Sequence, residues 1–70
     1  MRIVVQNCVT NEYLTDIGTW SPAVKEAKVF RNSVDAYFHC TRHQVEHSQI
    51  LLKFGRPELD VKLPVSESCK

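Results

Sequence analysis

One well-marked helix start stands between two stretches of alternating sequence, and this narrows the possible folds more than any other feature. Trp20-Ser21-Pro22 reads as a turn and Ala27-Lys28-Val29-Phe30 as a short apolar segment. Asn32-Ser33-Val34-Asp35-Ala36 follows. Asn32 or Ser33 can accept the first free N–H groups of a helix, and an acid in the first turn favours the same place through the helix dipole. From Ser33 to about His43, Ser33, Ala36, Tyr37, Cys40 and Gln44 form one stripe, and Val34, Phe38, Thr41 and Val45 the neighbouring one. Together they make a wide apolar face, as expected of a lone helix that covers a sheet. Asp35, His39, Arg42 and His43 are left towards water.

Before the helix, Arg2 to Val9 is rich in β-branched residues and reads as a strand. Thr10-Asn11 supplies turn chemistry, and Glu12 to Ile17 returns as a second strand that Asp16 to Gly18 breaks. Pro22 suits a short helix capped by Ser21, or a β-turn. Ala27 to Phe30 is read as a short third strand, with continuation of that helix as the alternative. After the helix, Gln49 to Phe54 and Leu59 to Val65 alternate around a Gly55-Arg56-Pro57-Glu58 turn, the best hairpin in the chain. Pro64 cannot donate to a ladder, so it ends this strand or lies on an edge.

These elements predict a single α+β domain over residues 1–65, with a flexible polar tail at 66–70. The architecture is a four- or five-stranded antiparallel sheet with one helix packed on one face, in the order β-β-(β)-α-β-β. Ile3, Val5, Ala36, Tyr37, Cys40, Ile50, Leu52, Val61 and Leu63 are expected to form its core. Val4, Leu14 and Leu51 are expected on the face that the helix does not cover. With Trp20 they form the expected interaction surface, for an unknown protein partner or for a weak homodimer.

The spacing Tyr13-Leu14…Trp20…Ala27-x-x-Phe30…Ala36…Cys40, followed by the Ile50–Phe54 and Leu59–Leu63 hairpin, resembles short bacterial and phage-borne proteins of uncharacterised function. The likeness covers most of the chain. It implies a fold type and a prokaryotic setting, and it brings no active site with it.

Nine Lys and Arg against eight Asp and Glu give a formal charge of +1, so no net field draws the chain to nucleic acid or an acidic membrane. The apolar run at the N-terminus is too short for a signal peptide or a membrane span. Three widely spaced cysteines, Cys8, Cys40 and Cys69, form an odd set without C-x-x-C. They are expected as free thiols in a reducing cytoplasm, with no intramolecular disulfide.

His39-Cys40-x-x-His43-x-x-x-His47 holds the only concentration of metal-ligand residue types. His39 and His43 stand one turn apart on a helix, and His47 joins them only if the helix runs that far. Cys40 points about 100° away from His39. The expectation is solvent-facing histidines with no metal and no cofactor. Cys40 is expected as a small buried hydrophobe, not a nucleophile beside His39 or His43. The carboxylates are scattered, and no phosphate-loop, dinucleotide or nucleophile-elbow motif occurs. The chain is therefore expected to be a non-enzymatic protein-interaction domain. The alternative is a nucleic-acid-binding accessory protein that uses Lys25, Lys28, Arg31, Lys53, Arg56 and Lys62.

Overall fold

The computed structural model describes residues 1–66 and Cys69. Strands β1 (Arg2–Asn7), β2 (Tyr13–Leu14) and β3 (Trp20–Ser21) precede helix α1 (Ser33–Arg42), and β4 (Ser48–Lys53) and β5 (Val61–Pro64) follow it. Short 3₁₀ turns lie at Val24–Glu26 and Pro57–Leu59. The five strands form one antiparallel sheet in the order β3-β2-β1-β4-β5, with the helix on one face. This is the α+β architecture expected from the alternating segments and the single helix.

Local chemistry explains most of the boundaries. β1 ends at Asn7, whose Oδ1 accepts from the backbone N–H groups of Val9 (2.8 Å) and Thr10 (3.0 Å). This side-chain turn bends the chain back at once. The expected second strand is cut short in the same way. Thr15 N donates to Thr19 O at 2.9 Å around a three-residue loop, and Gly18 takes the left-handed conformation (φ 84°) that this loop requires. The third strand is therefore Trp20–Ser21, not Ala27–Phe30. The latter segment is extended but touches the sheet at single points, through bridges of Ala27 to Thr15 and Phe30 to Ile3. Lys28 N donates to Leu14 O and Phe30 N to Ile3 O, both at 2.8 Å. It thus fills the gap where β2 diverges from β1.

Asn32 is the N-cap: its side chain accepts from Asp35 N at 2.8 Å. The helix ends in a Schellman motif, with Val45 N donating to Cys40 O at 3.0 Å and Gln44 N to Thr41 O at 3.4 Å. Gln44 holds the positive-φ position (φ 50°) that glycine usually fills. Val45 packs back onto the core, the hydrophobic contact that accompanies this motif.

The register of β1 on β4 sets both sheet faces. Ile3 lies opposite Leu52, Val5 opposite Ile50 and Asn7 opposite Ser48, all on the helix side. There Ile3, Val5 and Ile50 join Leu14, Phe30, Ala36 and Cys40 in the main core, with Trp20, Val45, Leu52 and Val65 packed around it. Tyr37, Val61 and Leu63 were expected in this core but are exposed. The helix rests on β1 and β4, so β5 extends beyond its cover.

On the other face Val4 lies opposite Leu51, and they are 0% and 2% exposed. Ala27 and Tyr13 pack with them in a second small cluster. Beside it, Gln49 Nε2 donates to Gln6 Oε1 at 2.7 Å, and Gln6 Nε2 donates in turn to the Asn11 carbonyl at 3.4 Å, so this buried amide pair is hydrogen-bonded. Ala27, Tyr13 and the glutamine pair thus close this face among the described residues. Two central β-branched and leucine side chains are sealed by their own neighbours.

The expectation of free thiols fails for two of the three cysteines. Cys8 and Cys69 are joined in a disulfide that spans 61 positions of sequence, and only Cys40 is free and buried. Of the tail expected to be flexible, Ser66 and Cys69 are bonded back to the domain. Val65 N and Ser66 N both donate to Ser48 O at 3.1 Å, and Cys69 anchors the end beyond them. Of that tail, Glu67, Ser68 and Lys70 lie outside the described residues. No helix among the described residues is long and apolar enough to cross a membrane.

Candidate interaction surface

The two flanks of α1 have different neighbours. On one flank, His39 meets the edge of Phe30 at 5.3 Å, and His39 and His43 face Leu14 and Thr15 across a cleft. That flank looks towards β2. Helix geometry, at about 100° per residue, places Val34, Tyr37 and Thr41 on the opposite flank, towards β5. Val61 and Leu63 lie opposite Leu52 and Ile50, so both point to the helix side. Leu52 is half-buried between them and the core. By helix geometry and strand parity, Tyr37 (49% exposed) on α1 and Val61 (42%) and Leu63 (38%) on β5 then bound an apolar valley. Val34 continues the helix wall outward, while Phe38, whose ring meets Tyr37 edge to face at 6.1 Å, lines a cleft with Phe30 and His39 on the other flank.

The sheet edge beside this valley is blunted. Val65 N donates inward to Ser48, so by antiparallel alternation Val61 and Leu63 also direct their backbone groups to β4. Lys62 and Pro64 direct theirs outward, and Pro64 has no N–H. A single lysine donor beside a proline is a poor template for another strand. At the opposite edge, β3 runs directly into Pro22. Neither edge of the sheet thus presents a long open backbone ladder.

Of the residues expected to form an interaction surface, Val4, Leu14 and Leu51 are buried and unavailable. Leu14 belongs to the helix-side core because Trp20 is its cross-strand partner there. Trp20 is half-buried against the same core. The alternation and helical stripes place Tyr37, Val61 and Leu63 in the core, and Val34 and Phe38 on the apolar helix face. The signal that points to their exposure is Pro64, which marks the second strand of the hairpin as an edge.

The histidines come together only in part. The His39 and His43 rings lie 4.5 Å apart, whereas His47 sits beyond the helix end in a positive-φ turn (φ 56°). Among the described residues no three metal-ligand side chains converge. Burial, then the nearby charges of His43, Lys28 and Arg42, hold the His39 pKa below its usual 6.5. The Cys40 thiol is pushed up by burial, against the opposing pull of its hydrogen bond with Ser48. A thiol so placed is a weak nucleophile.

The basic residues are scattered. Lys28 lies 3.9 Å from Asp16, Arg31 3.4 Å from Asp35 and Lys53 3.0 Å from Asp60. Of the six cations expected for nucleic acid, only Lys53 and Arg56 line a common cleft, and they share it with Arg2, which is not among those six. Lys25 and Lys62 stand apart from it. Comparison with protein-family models, curated proteins and solved structures yields no match for this chain.

Proposed function

We propose that this chain is a small non-enzymatic protein-interaction domain that docks through the apolar valley between α1 and β5, in the first instance with a second copy of itself. The observation that carries this reading is the exposure of Tyr37, Val61 and Leu63 on one flank while the sheet centre is closed on both faces. Apolar side chains gathered at one place, with no charge among them, favour removal from water on contact. A two-fold pairing sets each valley against its own copy, and the proline-blunted edges keep strands from zipping together. The valley offers only a few side chains. That is less than the roughly 800 Å² per partner of a stable interface, so the association is weak and reversible. The bridged Cys8 and Cys69 support work in an oxidising compartment over a reducing cytosol.

Sedimentation equilibrium over a concentration series tests the reading. The oxidised chain should pass from monomer to dimer as concentration rises, and Leu63→Lys should remain monomeric with an unchanged circular dichroism spectrum. A parent that stays monomeric throughout, or a Leu63→Lys variant that still dimerises, would remove the valley from its proposed role.

A further inference from the structure

A cleft of about 520 Å³ opens at the end of the sheet where β1 begins and β4 ends, lined by Met1, Arg2, Lys53, Phe54, Gly55 and Arg56. It lies apart from the valley and combines three features. The first is charge. Arg2 and Lys53 are direct cross-strand partners, an arrangement that costs stability because like charges face each other. Asp60 answers Lys53 at 3.0 Å, but Arg2 and Arg56 have no acidic partner among the described residues. The second is an aromatic ring. Phe54 is 46% exposed and lines this cleft, outside both core clusters. The third is open backbone. Gly55 turns the chain at φ 96° with no atom beyond its two chain neighbours within 4 Å of where a Cβ would be, so a ligand can approach the main chain there.

We propose that this cleft binds the phosphate of a nucleotide, either free or within a single strand. The Arg2 and Arg56 guanidinium groups donate to phosphate oxygens, and the base stacks on Phe54. Guanidinium forks match phosphate geometry, and an exposed ring accepts any base face. Lys53 remains committed to Asp60 and adds only to the local field. The two arginines gain the anionic partner that the fold leaves out.

The test is a titration of the oxidised full chain followed through its backbone amide resonances. The probes are thymidine 5′-monophosphate, a short oligothymidylate, inorganic phosphate and polyphosphate. Shifts should concentrate at Arg2, Phe54, Gly55 and Arg56. Tighter binding of the oligonucleotide than of the mononucleotide would identify a strand as the ligand, and the reverse a free nucleotide. Arg2→Gln with Arg56→Gln should weaken binding about tenfold or more. It should also reduce the slope of log affinity against log salt by about 1.4 for the oligonucleotide. Phe54→Leu should weaken both nucleotide probes about fivefold or more and leave inorganic phosphate unchanged. All three positions are exposed, and unchanged α1 and β5 resonances will show that each variant is folded. The proposal fails if none of the probes moves these amides. It also fails if polyphosphate matches the oligonucleotide and Phe54→Leu changes nothing, because charge alone would then account for binding.

Discussion

The sheet face without a helix is sealed, while part of the face with the helix lies open. Val4 and Leu51 are fully covered although no helix of the described residues packs on their side, and Val61 and Leu63 are exposed although a helix packs on theirs. Position in the sheet explains the difference. Val4 and Leu51 belong to β1 and β4, the middle of the sheet, with strands or bridging segments on both sides. Val61 and Leu63 belong to β5, an edge. A helix of ten residues covers about two strands, and here it covers the central pair. Lateral neighbours therefore matter as much to burial as a covering layer does.

The largest test of this contrast removes the covalent tie. Closing a loop that spans 61 positions is worth about 4 kcal/mol of unfolded-state entropy, a large part of the stability of a domain this small. Cys69→Ser, or added reductant, should lower the melting temperature sharply. Amide exchange should accelerate first at Val65 and Ser66, on the helix side, before it does so at Val4 and Leu51. Uniform acceleration would show that the two faces do not differ in how they are held.

Leu51→Ala against Leu63→Ala compares the faces directly. The first should cost about 3 kcal/mol, because a fully buried leucine leaves a cavity behind. The second should cost less than about 1 kcal/mol, since Leu63 is still well exposed. Equal losses in chemical denaturation would erase the distinction. Leu51→Lys, on this basis, unfolds the domain instead of merely dissociating a dimer.

The smallest effect lies on the flank of the helix that looks towards β2. His39 has a folded-state pKa below its unfolded value, chiefly through burial beside Phe30 and Leu14. The unfolded chain therefore takes up the proton first. The stability tied to neutral His39 is complete above the unfolded pKa of 6.5 and is lost as pH falls through the lower folded value. Melting temperature should drop modestly between about pH 7 and about pH 5, and His39→Gln should flatten that part of the profile. An unchanged slope in the variant would mean that His39 is not held in its neutral form by the fold.

Several features of the candidate surface were legible along the chain, and others were hidden for definite reasons. The parity of Val61 and Leu63 could be read from alternation, and Pro64 marked an edge. Yet Tyr37 looked like core, because a helical stripe does not say which strand lies beneath each flank. Arg2 looked isolated, because only the β1–β4 register brings it across from Lys53 and beside Arg56. Val4 and Leu51 looked like a surface because strand parity counts faces and ignores lateral cover, and Leu14 because a two-residue strand has too little alternation to place it on the helix side.

What the sequence by itself determined is local. The Asn32 cap, the turn at Asn7, the glycine loop at Gly18 and the alternation of β1, β4 and β5 each arise from residues a few positions apart. Backbone preference and side-chain hydrogen bonds act over that range. Only the tertiary structure decided the rest. It made Trp20–Ser21 the third strand and reduced Ala27–Phe30 to a filler between β1 and β2. It sealed Val4 and Leu51, opened the valley at Tyr37, and brought Cys69 back to Cys8. Each of these depends on segments far apart in the chain meeting at one place, and the free energy of such a meeting resides in the shared contact and in neither segment alone.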